Sequence, residues 1–236
     1  MASRKEQKEQ LRREREAREA AARSSKGRQR LIGYAVGGGV VLVAAIIAIV
    51  VLAGGGGDDA SANVLPDGGD VPEIAEVDTV EEGAKAGDCE LKSFAATSRT
   101  HLTDLSQRVK YGSKPPTSGN HFQVPAEDGA YEDPPDVKEV VHTLEHGRIV
   151  IWFKKSLPGD ARAALKAYYD DDSYQIVLLP DTTGMKYEVA ATAWNRDPTP
   201  NGTGRLLGCP KYDDGVFTAL EAFKDEHRSR GPEPVP

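Results

Sequence analysis

The chain has 236 residues, with 37 acidic against 30 basic side chains and a formal charge of −7. From residue 54 onward there are 19 basic and 32 acidic residues, a charge of −13, which disfavours nucleic acid and anionic lipid as partners of that part. Two cysteines without C-x-x-C spacing argue against a thiolate metal site, and the length allows one domain of ordinary size beside its flanking segments.

Residues 1–30 are charged, with eleven Lys and Arg against five Glu. Opposite charges recur three and four positions apart, as in Glu9/Arg13 and Glu14/Arg18, which supports a transient helix. No apolar residue repeats at coiled-coil spacing, so a solvated cytoplasmic tail is expected. Leu31 to Ala53 then runs for 23 residues without a charge. As a helix it reaches roughly 34 Å, enough for a hydrocarbon core of about 30 Å. The basic flank before it places the N-terminus in the cytoplasm and residues 54–236 outside. A cleaved signal peptide competes, with Val51-Leu52-Ala53 as its small-residue site. The apolar run exceeds an h-region of about 7–15 residues, so an uncleaved single-pass anchor is expected.

Residues 54–88 contain ten acidic residues and one Lys, with no helical or strand period. They read as a flexible acidic linker. Residues 89–230 read as the extracytoplasmic domain and 231–236 as a tail. Cys89 and Cys209 lie near the two ends of that domain, and an oxidising exterior favours a disulfide between them.

Within the domain, His101 to Pro135 is rich in Gly, Pro, Ser and Asn and reads as ordered loop. Asp136 caps a helix whose Val137, Val140, Val141 and Leu144 form an i, i+3, i+4, i+7 stripe, closed by Gly147. Arg148–Phe153 and Tyr174–Leu179 are apolar strands joined through a helix starting at Asp160, which predicts a parallel βαβ unit. Tyr187–Trp194 is a third strand, and a last helix follows Asp213 or Asp214. The expected fold class is α/β or α+β: a small mixed sheet flanked by helices.

Four of the five histidines fall within 46 residues: His101, His121, His142 and His146. On a wheel of about 100° per residue with Val137 at zero, His142 falls near 140°, His146 near 180° and Glu145 near 80°. Both histidines therefore leave the helix's own apolar face. Solvent-facing histidines are the plain reading. The functional one is a cleft roofed by the loop of His121, in which imidazoles bind Zn²⁺, Cu²⁺ or Ni²⁺. Met185 is a weaker ligand that would favour Cu(I). His227, on an apolar stripe, reads as packing.

The segment His142-Thr-Leu-Glu145-His146 also fits H-x-x-E-H, in which His142 and His146 bind zinc and Glu145 is the general base. Glu221 or Glu188 would then supply a distal ligand. A metal-supporting role for Glu145, orienting a histidine, is preferred over the hydrolase.

Two segments, Pro115-Pro116-Thr117-Ser118-Gly119-x-His121 and Val141-His142-x-Leu144-Glu145-His146-Gly147, together resemble the domain of unknown function 3105 family. Tyr131 and the Ala193-Trp194 pair are similar to it too, so the resemblance spans roughly 99–196. It implies an actinobacterial-type, membrane-anchored exported protein without an established activity. It also implies that the histidines matching His101, His121, His142 and His146 share a role. The expected function is an extracytoplasmic domain binding copper or zinc through these histidines, not an enzyme. The alternatives are a zinc hydrolase and a cell-envelope interaction module without metal.

Overall fold

Alternate residues along four strands point to two different cores, and this organises the molecule. The computed structural model describes residues 64–233. Its strands are β1 (Glu90–Ala95), β2 (His101–Leu102), β3 (His121–Phe122), β4 (Gly129–Ala130), β5 (Ile149–Phe153), β6 (Ile176–Pro180), β7 (Val189–Asn195) and β8 (Thr203–Cys209). Its helices are α1 (Val80–Ala86), α2 (Val137–Glu145), α3 (Gly159–Asp171) and α4 (Gly215–His227). Six strands form one mixed sheet in the order β1-β8-β7-β5-β6-β4. The pairs β4/β6 and β5/β6 are parallel; β5/β7, β7/β8 and β1/β8 are antiparallel. β2 and β3 form a separate two-stranded parallel ladder.

Side chains alternate across a strand. Ile149, Ile151 and Phe153 of β5 therefore join Ile176, Leu178, Val189, Ala191 and Leu207 in one core, with Leu165, Phe217 and Phe223 from α3 and α4. Val150 and Trp152 face the other way. They meet Val177, Leu179, Ala190 and Trp194, and the α2 stripe Val140, Val141 and Leu144. The βαβ unit is β5–α3–β6, and the third strand of the sequence reading is β7.

β1 and β8 were not expected. β1 is an edge strand in which Lys92 and Ser93 are exposed, so apolar alternation is weak. Its Glu90 instead binds Lys92, Lys186 and the Tyr187 hydroxyl. A charged edge also blocks pairing with another chain. In β8, Gly204 and Gly208 leave room for neighbours. A Cβ at Gly204 would lie 2.1 Å from the Thr117 hydroxyl, and one at Gly208 would lie 2.3 Å from the Tyr187 ring. The first of these close approaches seats the Pro/Gly-rich loop on the sheet.

The linker expected over 54–88 differs from what its described part forms. Thr79 caps α1 by accepting from the Glu82 backbone N–H, and α1 packs on α4 at Gly83, where a Cβ would lie 2.4 Å from that of Ala222. Leu65 is buried, and Val64, Val71 and Ile74 pack on the α3/α4 core. Gly69 meets the α3 backbone at Ala163. These apolar residues have no regular spacing because they dock singly onto a face made by other elements. The described part of the tail expected over 231–236 is likewise seated on the domain, with the Glu233 N–H donating to the Glu145 carbonyl. The charged tail expected over 1–30 and the membrane span expected over 31–53 lie outside the described residues. Among the described residues, no helix is long and apolar enough to cross a membrane.

Cys89 and Cys209 are bonded, with Cα atoms 4.2 Å apart, joining the start of β1 to the end of β8. α2 begins with a capping box. Asp136 accepts from the Lys138 amide, and Glu139 accepts from the Asp136 amide. It ends at Gly147, whose φ of +83° suits glycine. The C-terminal segment then closes the helix end: Ser229 N–H donates to the Gly147 carbonyl. Carbonyls that an isolated helix leaves open are thus satisfied from the far end of the sequence.

Candidate metal centre

Two elements carry the centre. The β2/β3 ladder pairs His101 with His121 in parallel register, so their rings lie side by side, with centroids 4.6 Å apart. α2 supplies His142 and Glu145, three residues apart on one helical face. The His142 ring lies 4.7 Å from the rings of both His101 and His121. One ligand atom from each of His101, His121, His142 and Glu145 falls within 4.8 Å of all the others.

α2 is enclosed on both sides. The sheet covers its apolar stripe, and the loop of 100–130 covers the rest. Thr143 donates its hydroxyl to the Ala126 carbonyl, and the His142 ring bonds the Phe122 carbonyl at 2.7 Å. His142 and Glu145, off the stripe on a wheel, are therefore both buried. His101 is the most open member, its side chain 43% exposed.

The backbone orients the rings. The His121 Nδ1 lies 2.8 Å from the Gly119 carbonyl, which can only accept. That contact assigns the proton to Nδ1, and the Phe122 carbonyl does the same for His142. In the neutral rings Nε2 is left as a lone-pair donor for a ligand. Carbonyl-bonded Nδ1 with free Nε2 is the arrangement that orients metal-binding histidines. Burial lowers the His142 pKa to about 4; its carbonyl bond opposes this and the neighbouring histidines add to it. At neutral pH the ring is uncharged, the form that binds metals.

Glu145 is 1% exposed at its side chain. Burial opposes its charge, but His121 and the Arg99 guanidinium outweigh it and hold the carboxyl at about 2. Oε1 accepts from Arg99 Nε. Oε2 lies 2.9 Å from His121 Nε2 and 3.4 Å from His101 Nε2. Yet His121 Nε2 and Glu145 Oε2 are both buried without a hydrogen-bond partner of acceptable geometry. A proton on His121 Nε2 satisfies this contact, and so would a bound cation between the two atoms. A tetrahedral zinc ion would set its donors about 3.3 Å apart, between the two Oε2 distances.

The donor set thus differs in one member from the four histidines of the sequence reading. His146 caps α2 and its ring lies 4.5 Å from that of His142, but it is not one of the four converging residues. Glu145 is. Burial lowers the His146 pKa, and Arg148 adds to this. Met185 is buried in the core beneath α2. Glu188 accepts from the Tyr212 amide, and Glu221 pairs with Lys224 and Tyr168 on the opposite side of the sheet. Neither joins the centre. His227 stacks edge-on with Phe223 and bonds Asn195, as a packing residue does.

Three further participants were not read from the sequence. Arg99 neutralises Glu145. Glu233, 3.9 Å from Arg99, ties the C-terminal segment to the same cluster. Trp194, on β7, places its ring edge-on to His121 at 5.8 Å. Arg99 had its nearness to His101 in sequence as a signal and Trp194 its place in the family-like Ala193-Trp194 pair; Glu233 carries none.

Comparison with curated proteins and with solved structures gives no match. The family model described as protein of unknown function DUF3105 matches residues 102–235, starting one residue after His101 and running through α4 into the C-terminal segment. That is more than half of the sequence and includes His121, His142 and Glu145, so the chain belongs to this family.

Proposed function

We propose that this protein is a membrane-anchored, extracytoplasmic metal-binding protein whose site is His101, His121, His142 and Glu145, taking copper or zinc. The observation that carries the reading is the convergence of one ligand atom each from His101, His121, His142 and Glu145 within 4.8 Å of one another, with two of the rings fixed by backbone carbonyls. A divalent ion bound among them would take a donor atom from each. Mixed imidazole and carboxylate donors suit zinc and Cu²⁺ better than a thiolate-seeking ion. Glu145 acts as a ligand and not as a general base. Its Oε1 is held by Arg99 and its Oε2 faces the histidines, which leaves no oxygen free for a substrate proton.

Titrating the full chain with Cu²⁺ or Zn²⁺ should give one tight site per chain, with Trp194 emission quenched by Cu²⁺. Glu145→Gln should weaken binding by on the order of 10–100-fold, as losses at metal sites do. Unchanged affinity in Glu145→Gln would remove Glu145 from the site.

The anchor rests on the 23 uncharged residues of 31–53 and the basic flank before them. The disulfide suits the oxidising side of a membrane. The full chain should sediment with membranes and resist alkaline extraction. Recovery of a mature chain from the medium, starting near Gly54, would refute this.

A further inference from the structure

Beside the histidine cluster lies an open cleft of about 340 Å³ whose lining runs against the charge of the rest of the chain. No carboxylate lines it, although the sequence is acidic overall. Two cations do, Arg108 and Lys110, and neither has an acidic partner among the described residues. Hydroxyls of Ser98, Ser118 and Tyr111 and the amide residue Asn120 complete a polar wall. The wall is built and not incidental. Tyr111 is half-buried, its hydroxyl donates to the Asn120 carbonyl, and its ring packs on Gly119. The Asn120 side-chain oxygen is buried without a partner. The charge of Asp136 reaches Tyr111, but Lys138 already holds that carboxylate at 2.9 Å.

Unpaired cations set among hydroxyl and amide groups, beside Phe94, Leu102 and Val109, fit an oxyanion on a small body that carries hydroxyls. Guanidinium and ammonium groups bind the anion by charge-assisted hydrogen bonds, and the neutral groups bond its hydroxyls. The volume lies at the lower end for small-molecule sites and suits one monosaccharide-sized molecule. We infer that this cleft binds a small polyhydroxylated anion, a phosphate ester or a carboxylate, through Arg108 and Lys110. The inference goes beyond the metal reading, because no metal is needed to hold such a ligand. It also gives the centre a neighbour: Leu102 and Asn120, both in the lining, directly follow His101 and directly precede His121.

The test is calorimetry on the full chain in detergent, treated with chelator so that the state of the metal site does not enter. Glucose 6-phosphate, gluconate and glucose are the probes. One or both anions should bind with Kd below about 1 mM, and glucose at least about tenfold more weakly. Binding of only the phosphate or only the carboxylate identifies which oxyanion the cleft takes. Arg108→Gln with Lys110→Gln should weaken anion binding by about 10–100-fold, the loss expected for charge-assisted hydrogen bonds. Lys155→Gln, an exposed lysine outside the lining, should leave it unchanged. Both altered sites are exposed, and an unchanged melting temperature will show that the variants fold. Glucose binding as tightly as the anions, wild-type affinity in the double variant, or no anion binding up to about 10 mM would each overturn the inference.

Discussion

Removing His121 and His142 together should abolish tight metal binding, the largest effect expected of any pair of substitutions in this protein. Each ring has its Nδ1 fixed on a backbone carbonyl, so each is presented to the centre at no further conformational cost. Single changes to Ala should each weaken binding by about 100-fold or more, the upper end of losses known even for residues that only support a ligand. The substitutions also remove buried rings, which costs stability by itself. The decisive readout is therefore a difference. An ion at about 100 times its Kd stabilises the native state by about 2.7 kcal/mol. For a fold of this size that raises Tm by roughly 5–10 °C. The rise should appear in the wild type and vanish in His121→Ala/His142→Ala, whatever the starting Tm of the variant. An equal rise in both proteins would refute the site.

Loss of the disulfide should be the largest purely structural effect. The bond spans 120 residues of sequence, and closing a loop of that length restricts the unfolded chain strongly. Cys89→Ala with Cys209→Ala, or reduction, should cost about 2–5 kcal/mol. Thermal melting should then shift downward by roughly 4–20 °C. The proposed metal site should be affected far less. Cys209 packs in the core shared with α3 and α4, whereas the histidines lie across the sheet with α2. A Tm unchanged by reduction would mean that the bond does not contribute. A Tm drop with metal affinity changed less than about tenfold would match the two-sided architecture.

The division between what could be read locally and what could not follows the range of the interactions. α2 was legible because its stripe, its Asp136 cap and its Gly147 stop all lie within twelve residues of one another. β5, β6 and β7 were legible because strands buried on both faces read as apolar runs. β1 was not, because an edge strand owes its existence to a partner more than a hundred residues away and keeps a polar sequence. The segment 64–86 reads as a linker for the same reason: its apolar side chains mean nothing until α3 and α4 offer a surface.

The centre divides in the same way. The histidines, the i, i+4 spacing of His142 and His146 and the loop that carries His121 are all local features. Only tertiary structure chose among them. On a wheel His142, Glu145 and His146 all leave the apolar stripe of α2, and nothing local says which will face His101 and His121. The β2/β3 ladder decides, because its register sets two imidazoles against one part of the helix. That part holds His142 and Glu145, with Arg99 supplying the counter-charge that lets a carboxylate stay ionised in a buried place. His146, one residue further, becomes the helix cap beneath the C-terminal segment. A helical face is a local property, but the direction from which a second element covers it depends on chain folded from far away.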